Sequence, residues 1–286
     1  MTESTHRRTN SAIAALLLAG SAYSVALPAD SPPAALPADA AICPVVYRLD
    51  ESPSPRGYHY VFFGNAFFIN EQGYLLTDAH VLDTFRDGGQ PYLILRRPNA
   101  PPRILPATIV ATDPAHDVAI LRVTPNPFAG RYRVAFLPLA ADPATPGQQV
   151  LALSMHPIRL QDAQSLEAPD EDRSPGQVLS YESTQLEKSA PAAKVFLLSH
   201  PVTRGQSGSP VLTSGSRAVV GIIEGRWLRS LSAAAAKTPA QADSIPGAAT
   251  PIEYAIALLH RQHIAYHPLP GPTSAPASAS INTPQR

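Results

Sequence analysis

Short runs rich in Val, Ile, Leu, Phe and Tyr recur along the chain, each bounded by Pro, Gly or Asp: YVFFGNAFFI, GYLLT, YLILRR, ILPATIVA and VAILRV, then QQVLALS, GQVLSYES, KVFLLS, PVLT and AVVGIIEG. Runs of this length, enriched in β-branched and aromatic residues and punctuated by turn formers, point to many short strands. One segment departs from the pattern. Pro251 follows Thr250 at an expected first helical position, and IEYAIALLHRQHI carries its apolar residues at helical spacing. An all-β body followed by one C-terminal helix is the architecture these segments predict. No period of repeated sequence is found.

The 286 residues, 44% of them hydrophobic, suffice for one large domain or two modest ones with a sizeable core. Pro and Ala dominate residues 27–40, and Pro, Ser and Ala dominate the segment after 267, so a linker and a tail (267–286) of solvated, poorly ordered chain are expected around a body at 41–266. Inside the body, DAQSLEAPDEDRSPG is polar, acidic and without a period, and reads as a loop. SLSAAAAKTPAQADSIPG reads as a second loop, between the last strand and the helix.

The first 26 residues read as a signal peptide: His6, Arg7 and Arg8 are basic, SAIAALLLAG is apolar, and Ser24-Val25-Ala26 offers small residues for cleavage after Ala26. Residues 11–26 fall short of the ~20 apolar residues of a membrane span and are interrupted by Ser and Gly, so an exported chain, periplasmic or secreted, with no stable span after cleavage is expected. Its one cysteine, Cys43, allows no intramolecular disulfide and reads as a small buried apolar residue. Lys+Arg and Asp+Glu balance at 22 each, with no basic stripe, and nucleic acid is not an expected partner.

Chemistry enters at GQSGSPVL, residues 205–212, where Ser207 stands between two glycines. Gly, Ser and Pro make any tight turn, so the octapeptide alone is silent. Upstream, GNAFFINEQGYLLTDAHVL (64–82) reads as a hairpin with its turn at Asn70 to Gly73, and it delivers His80 where an apolar strand ends. DPAHDVAILRV (113–123) places Asp117 directly before another strand, ahead of the rivals Asp113 and His116. A serine hydroxyl needs an imidazole to take its proton, and the imidazole needs a carboxylate to fix its tautomer and stabilise its cation. His80, Asp117 and Ser207 supply these roles as candidates, and the amides of Gly205 and Ser207 supply a pair of donors for an oxyanion.

Together these segments resemble the chymotrypsin-fold, trypsin-like serine proteases, and most closely the bacterial HtrA-like branch. GNAFFINEQGYLLTDAHVL resembles the histidine segment of that branch, DPAHDVAILRV its aspartate segment, GQSGSPVL with AVVGIIEG its serine loop and following strand, and GAATPIEYAIALL its proline-led helix. The resemblance implies two packed six-stranded antiparallel β-barrels, at 41–140 and 141–266, the second carrying the helix. It also implies hydrolysis of peptide bonds in protein or peptide substrates without a metal or organic cofactor. Ala66, Asp78 and Ser209 depart from the usual pattern, and after residue 266 too few residues remain for a PDZ domain.

The resemblance further places Val202, Thr203 and Arg204 on one side of the primary specificity pocket and Ile223, Glu224 and Arg226 on the other. Pro201 stands where relatives that cleave after Lys or Arg carry Asp, and Ile223 where glutamyl-specific ones carry His. The expected preference is for a small or medium apolar residue before the cleaved bond.

Other readings carry less. An α/β-hydrolase elbow requires Gly at position 209, where Ser209 stands, with an acid and a histidine following from Asp243, His260, His263 or His267. The same histidines lack Cys or carboxylate partners at zinc-site spacing. A protease fold that binds or senses without turnover is the alternative function.

Overall fold

The computed structural model describes residues 38–49, 59–85, 88–97, 100–128, 135–156, 170–185, 192–227 and 245–269. The signal-peptide reading, most of the linker and most of the loop before the helix lie outside these residues.

Six strands close the first barrel: β1 (Ile42–Arg48), β2 (Tyr60–Phe68), β3 (Tyr74–Thr77), β4 (Pro91–Arg97), β5 (Ala100–Asp113) and β6 (Val118–Val123), in the antiparallel order β1-β2-β3-β6-β5-β4. The runs singled out by composition supply all but β1, whose ICPVVYR sequence pairs with β2 on one side and β4 on the other and so removes the open edge. Val45, Phe68, Leu75, Leu93 and Leu121 fill the interior beside Cys43, which is wholly buried. Burial pushes the Cys43 thiol pKa far up, so the group behaves as an apolar filler.

After β7 (Leu139–Ala140), the second barrel is built from β8 (Gln149–His156), β9 (Asp170–Thr184), β10 (Ala193–Leu198), β11 (Pro210–Thr213), β12 (Val219–Arg226) and β13 (Gly247–Pro251). The order runs β11-β8-β9-β10-β13-β12, and β11 also pairs with β12, closing the ring. This is the expected pair of barrels. Phe67, Leu76 and Ile120 of the first and Val150, Leu153, Val211 and Ile222 of the second share one buried apolar cluster, so the cleft between the barrels has a hydrophobic base.

Several boundaries differ from the sequence expectation, each because a backbone edge finds a partner. Half of the acidic loop, residues 170–176, is the start of β9 and pairs with β8 from Asp170 opposite His156 to Gly176 opposite Val150. GAAT, read with the helix, is β13 and is held between β10 and β12. Leu139–Ala140, assigned to the first barrel, lies parallel to β12 in the second sheet, and β14 (Pro268–Leu269), expected in the tail, lies parallel to β7. The amides of Leu139 and Ala141 donate to the carbonyls of His267 and Leu269, which satisfies that edge. At the other end Ala38–Ala41 forms a 3-10 turn ahead of residue 41, and Asp39 pairs with Arg96 at 2.5 Å.

Helix α1 (Ile252–Arg261) buries Ile252, Ala255, Leu258 and Leu259, one stripe of its surface. Pro251 is its N-cap residue (φ −58°, ψ 139°), one position earlier than expected, because the same residue ends β13. His263, at φ 55°, turns the chain out of the helix. No helix among the described residues is long and apolar enough to cross a membrane.

Candidate active site

His80 begins a 3-10 turn, His80–Phe85, directly after β3, and Val81, Leu82 and Phe85 of that turn plug into the first barrel. This anchors the backbone while the imidazole side chain stays 43% exposed toward the cleft. Asp117 closes the turn from Asp113 and adopts φ +52°, a left-handed conformation that Asp tolerates better than most residues. Its carboxylate takes both donors of the histidine: the His80 main-chain N–H donates to Oδ1 at 2.8 Å, and the ring Nδ1–H donates to Oδ2 at 2.6 Å. With Nδ1 committed as donor, Nε2 carries the lone pair whenever the ring is neutral. The rivals lie elsewhere: Asp113 pairs with His116 at 3.1 Å and with Arg261 of α1 at 2.7 Å, and His116 stacks on Tyr254.

Burial of the ring lowers the His80 pKa. The Asp117 hydrogen bond and the negative charges of Asp78, Asp117 and Glu224 outweigh it and raise the value from 6.5 to about 9.

Ser207 occupies a tight turn in which Gly205 (φ +95°) and Gly208 (φ +79°) take backbone conformations open to glycine. The turn is pressed against β2. A Cβ on Gly208 would lie 2.0 Å from the Asn65 carbonyl oxygen, and one on Gly64 would lie 2.6 Å from that of Ser207. Hydrogen bonds from the first barrel grip the turn on both sides of the serine. Asn65 N–H donates to Ser207 O at 2.8 Å, Asn65 Nδ2 donates to Gly205 O at 2.9 Å, and Gly208 N–H donates to Asp78 Oδ2 at 2.7 Å. Asn65 Oδ1 in turn accepts the Met155 amide of β8. The Ser207 hydroxyl donates to the carbonyl of Glu224 at 3.2 Å, which lays the nucleophile candidate along β12. Among the described residues, neither the Gly205 nor the Ser207 amide donates to a protein acceptor.

Asn65 was not singled out by sequence. Its signal was a lone amide inside the apolar run YVFFGNAFF, where a wholly buried polar side chain needs partners. Asp78, noted only as a departure, is also wholly buried.

The six residues expected around the specificity pocket divide. Val202 and Ile223 are 1% and 0% exposed and belong to the core, so neither presents side-chain surface to a ligand here. Val202 packs so closely on β13 that a Cβ on Gly247 would lie 2.4 Å from its Cγ2. Arg226 Nε donates to the Val202 carbonyl at 2.8 Å, joining β12 to the segment before Ser207. Thr203 N–H donates to the Gln206 side chain, Arg204 is exposed, and Glu224 accepts the Ser207 hydroxyl at its main-chain carbonyl while its charge helps raise the His80 pKa.

Polar atoms of Asp78, His80 and Asp117 lie within 4.8 Å of one another, a spacing open to a cation. Both Asp117 oxygens accept from His80 and Asp78 Oδ2 accepts from Gly208, so the group is organised as a hydrogen-bonded relay. Of the other histidines, His267 engages Glu71 and Phe136, and His260 packs on Tyr266.

The trypsin-like peptidase domain model matches residues 64–222, which spans the His80, Asp117 and Ser207 segments. The chain belongs to the trypsin-like peptidase family. Solved structures share the peptidase's fold. The HtrA-type protease AlgW with a decapeptide superposes with a TM-score of 0.55 at 17% identity, covering 78% of this chain and 64% of AlgW. The active form of the Rv3671c protease from M. tuberculosis gives a TM-score of 0.55 at 19% identity, covering 80% and 84%. An uncharacterized protein of Sinorhizobium fredii, y4bJ, is 45% identical over 60 residues, which is 21% of this chain and 8% of that protein.

Proposed function

We propose that this trypsin-like serine peptidase is an exported endopeptidase that hydrolyses peptide bonds through an acyl-enzyme on Ser207. The two-point contact between Asp117 and His80 carries the reading, because it commits Nδ1 as donor and leaves Nε2 as the base. On substrate binding the Ser207 hydroxyl leaves the Glu224 carbonyl for His80 Nε2. His80 takes the proton as Oγ attacks the scissile carbonyl, and the Gly205 and Ser207 amides stabilise the oxyanion. The His80 proton then passes to the leaving amine, giving the acyl-enzyme. Water, deprotonated by His80, releases the acid and returns the proton to Ser207. Every step is covered by these groups without a metal or organic cofactor.

A small or medium apolar residue is the preference we assign before the cleaved bond. The Val202 side chain packs against Gly247, and Arg226 bridges from β12 to the Val202 carbonyl, so the charge of Arg226 is tied to the backbone of that segment. Export rests on the basic and apolar pattern of the first 26 residues.

One observation favours the silent binding module: the hydroxyl hydrogen bond in this conformation goes to Glu224. Covalent labelling with a fluorophosphonate decides between the two. An active peptidase labels at Ser207 and loses the label in Ser207→Ala, whereas a silent module stays unlabelled in both.

A further inference from the structure

The carboxyl of Asp78 is an unusual object in this fold. It is 0% exposed, its Oδ1 has no hydrogen-bond partner among the described residues, and its Oδ2 lies 4.0 Å from His80 Nδ1. Burial first, and then repulsion from Asp117, raise its pKa well above the ordinary carboxylate value; His80 and the Gly208 amide oppose the rise, and Glu224 adds to it. Packing gives no account of it, since an apolar side chain would avoid both the desolvation and the idle oxygen. Among the described residues, its hydrogen bond is with the residue that follows Ser207, Gly208, at 2.7 Å.

Asp78 precedes His80 by two positions on the first barrel, and Gly208 follows Ser207 by one on the second. A single hydrogen bond therefore joins the backbone carrying the base to the backbone carrying the nucleophile, across the cleft. The other acceptor of the Gly208 amide, the Ile223 carbonyl at 3.0 Å, lies within the second barrel and carries no information about where His80 stands. Asn65 grips the turn from β2, upstream of the histidine segment, through the carbonyls of Gly205 and Ser207.

We propose that Asp78 is a positioning residue for catalysis: its carboxyl oxygen, acting as acceptor for the Gly208 amide, sets the register between Ser207 and His80. This inference rests on Ser207 being the nucleophile. What acts is the acceptor oxygen, so an amide of the same shape serves as well as the acid, and a side chain without an acceptor does not.

The test compares the mature protein with Asp78→Ala and Asp78→Asn. Turnover of a peptide substrate and the fluorophosphonate labelling rate are followed together with hydrogen exchange at the Gly208 amide. Asp78→Ala is expected to lower kcat and the labelling rate at least tenfold with KM little changed, and to speed Gly208 exchange. Above the limb near pH 9, where the His80 ring is neutral with or without the Asp78 charge, Asp78→Asn is expected to restore all three to within about threefold of the wild-type protein. Wild-type kinetics in Asp78→Ala overturn the proposal. So does an Asp78→Asn protein as slow as Asp78→Ala while thermal unfolding of both matches the wild type, because the acceptor would then be beside the point. The exchange measurement separates this inference from the catalytic reading. A wild-type protein that never labels defeats the nucleophile assignment, whereas Gly208 exchange that ignores Asp78→Ala defeats the hydrogen bond itself.

Discussion

The pH dependence of the peptidase follows from the carboxyl groups around one imidazole. A general base must be neutral to accept the Ser207 proton, and Asp117, Asp78 and Glu224 raise the His80 pKa to about 9. At pH 7 only about 1% of the free enzyme then holds a neutral imidazole, so kcat/KM should climb about tenfold per pH unit up to about 9 and level off above it. Asp117→Asn removes the carboxylate that accepts the ring N–H; the limb should move down toward 6.5, and kcat should fall by roughly 10⁴ because the tautomer is no longer fixed. The same shift links to stability. A pKa raised from 6.5 to about 9 stabilises the fold fully below pH 6.5, and that contribution disappears as pH rises through 9. At full strength it amounts to ~3 kcal/mol. With the side chain 43% exposed, solvent screening reduces this to ~1 kcal/mol. The assay is kcat/KM for an uncharged peptide substrate between about pH 5 and 10.5, with urea unfolding of wild type and His80→Ala over the same range. An acidic limb at or below 6.5 would refute the electrostatic argument, and unfolding curves of wild type and His80→Ala that stay parallel from pH 6 to 10 would refute the linkage.

Ser207→Ala should abolish turnover, by 10⁴-fold or more, with the thermal midpoint little changed; surviving cleavage of denatured casein would place the nucleophile elsewhere. Gly208→Ala should cost ~1–2 kcal/mol from the left-handed backbone alone, and activity with it, because the new Cβ meets the Asn65 carbonyl at 2.0 Å. Gly215→Ala, with nothing within 4 Å of the added carbon, is the control that should leave both folding and cleavage intact. Arg226→Ala should broaden the residue accepted before the cleaved bond toward larger apolar side chains; an unchanged profile across a peptide library would remove Arg226 from the specificity argument. Cleavage should be indifferent to a chelator, and activity lost to EDTA and restored by zinc would reassign the Asp78, His80 and Asp117 group as ligands.

The sequence made the barrels legible because most of their strands announce themselves locally, as apolar runs between turn formers. What it hid was pairing. GAAT has too little apolar content to look like a strand, yet it pairs with β10 and β12, where a Cβ on Gly221 would lie 2.5 Å from the Phe196 ring and 2.8 Å from the Thr250 carbonyl oxygen. DEDRSPG looked like a loop because its charges suggest solvent, and solvent is where several of them point; the strand exists because β8 offers it a ladder. His80 and Asp117 were legible for the opposite reason, each standing at a strand boundary where a side chain can be fixed in direction.

The specificity residues were less legible in the sequence, and the reason is depth: Val202 and Ile223 are buried. A position before Ser207 can face the cleft or the core, and Val202 faces the core, packed where Gly247, 45 residues further along the chain, has no side chain. Asn65 and Asp78 carry the same lesson. Each is a polar residue buried in the first barrel that hydrogen-bonds backbone groups of the second, among them groups of the serine turn more than 120 positions away. Their bonds form only once both barrels have closed and docked. The arrangement makes the relative placement of His80 and Ser207, the proposed base and nucleophile, a property of the interface between the barrels. Substitutions that loosen that interface at Gly64 or Gly208 should therefore depress catalysis before they unfold either barrel.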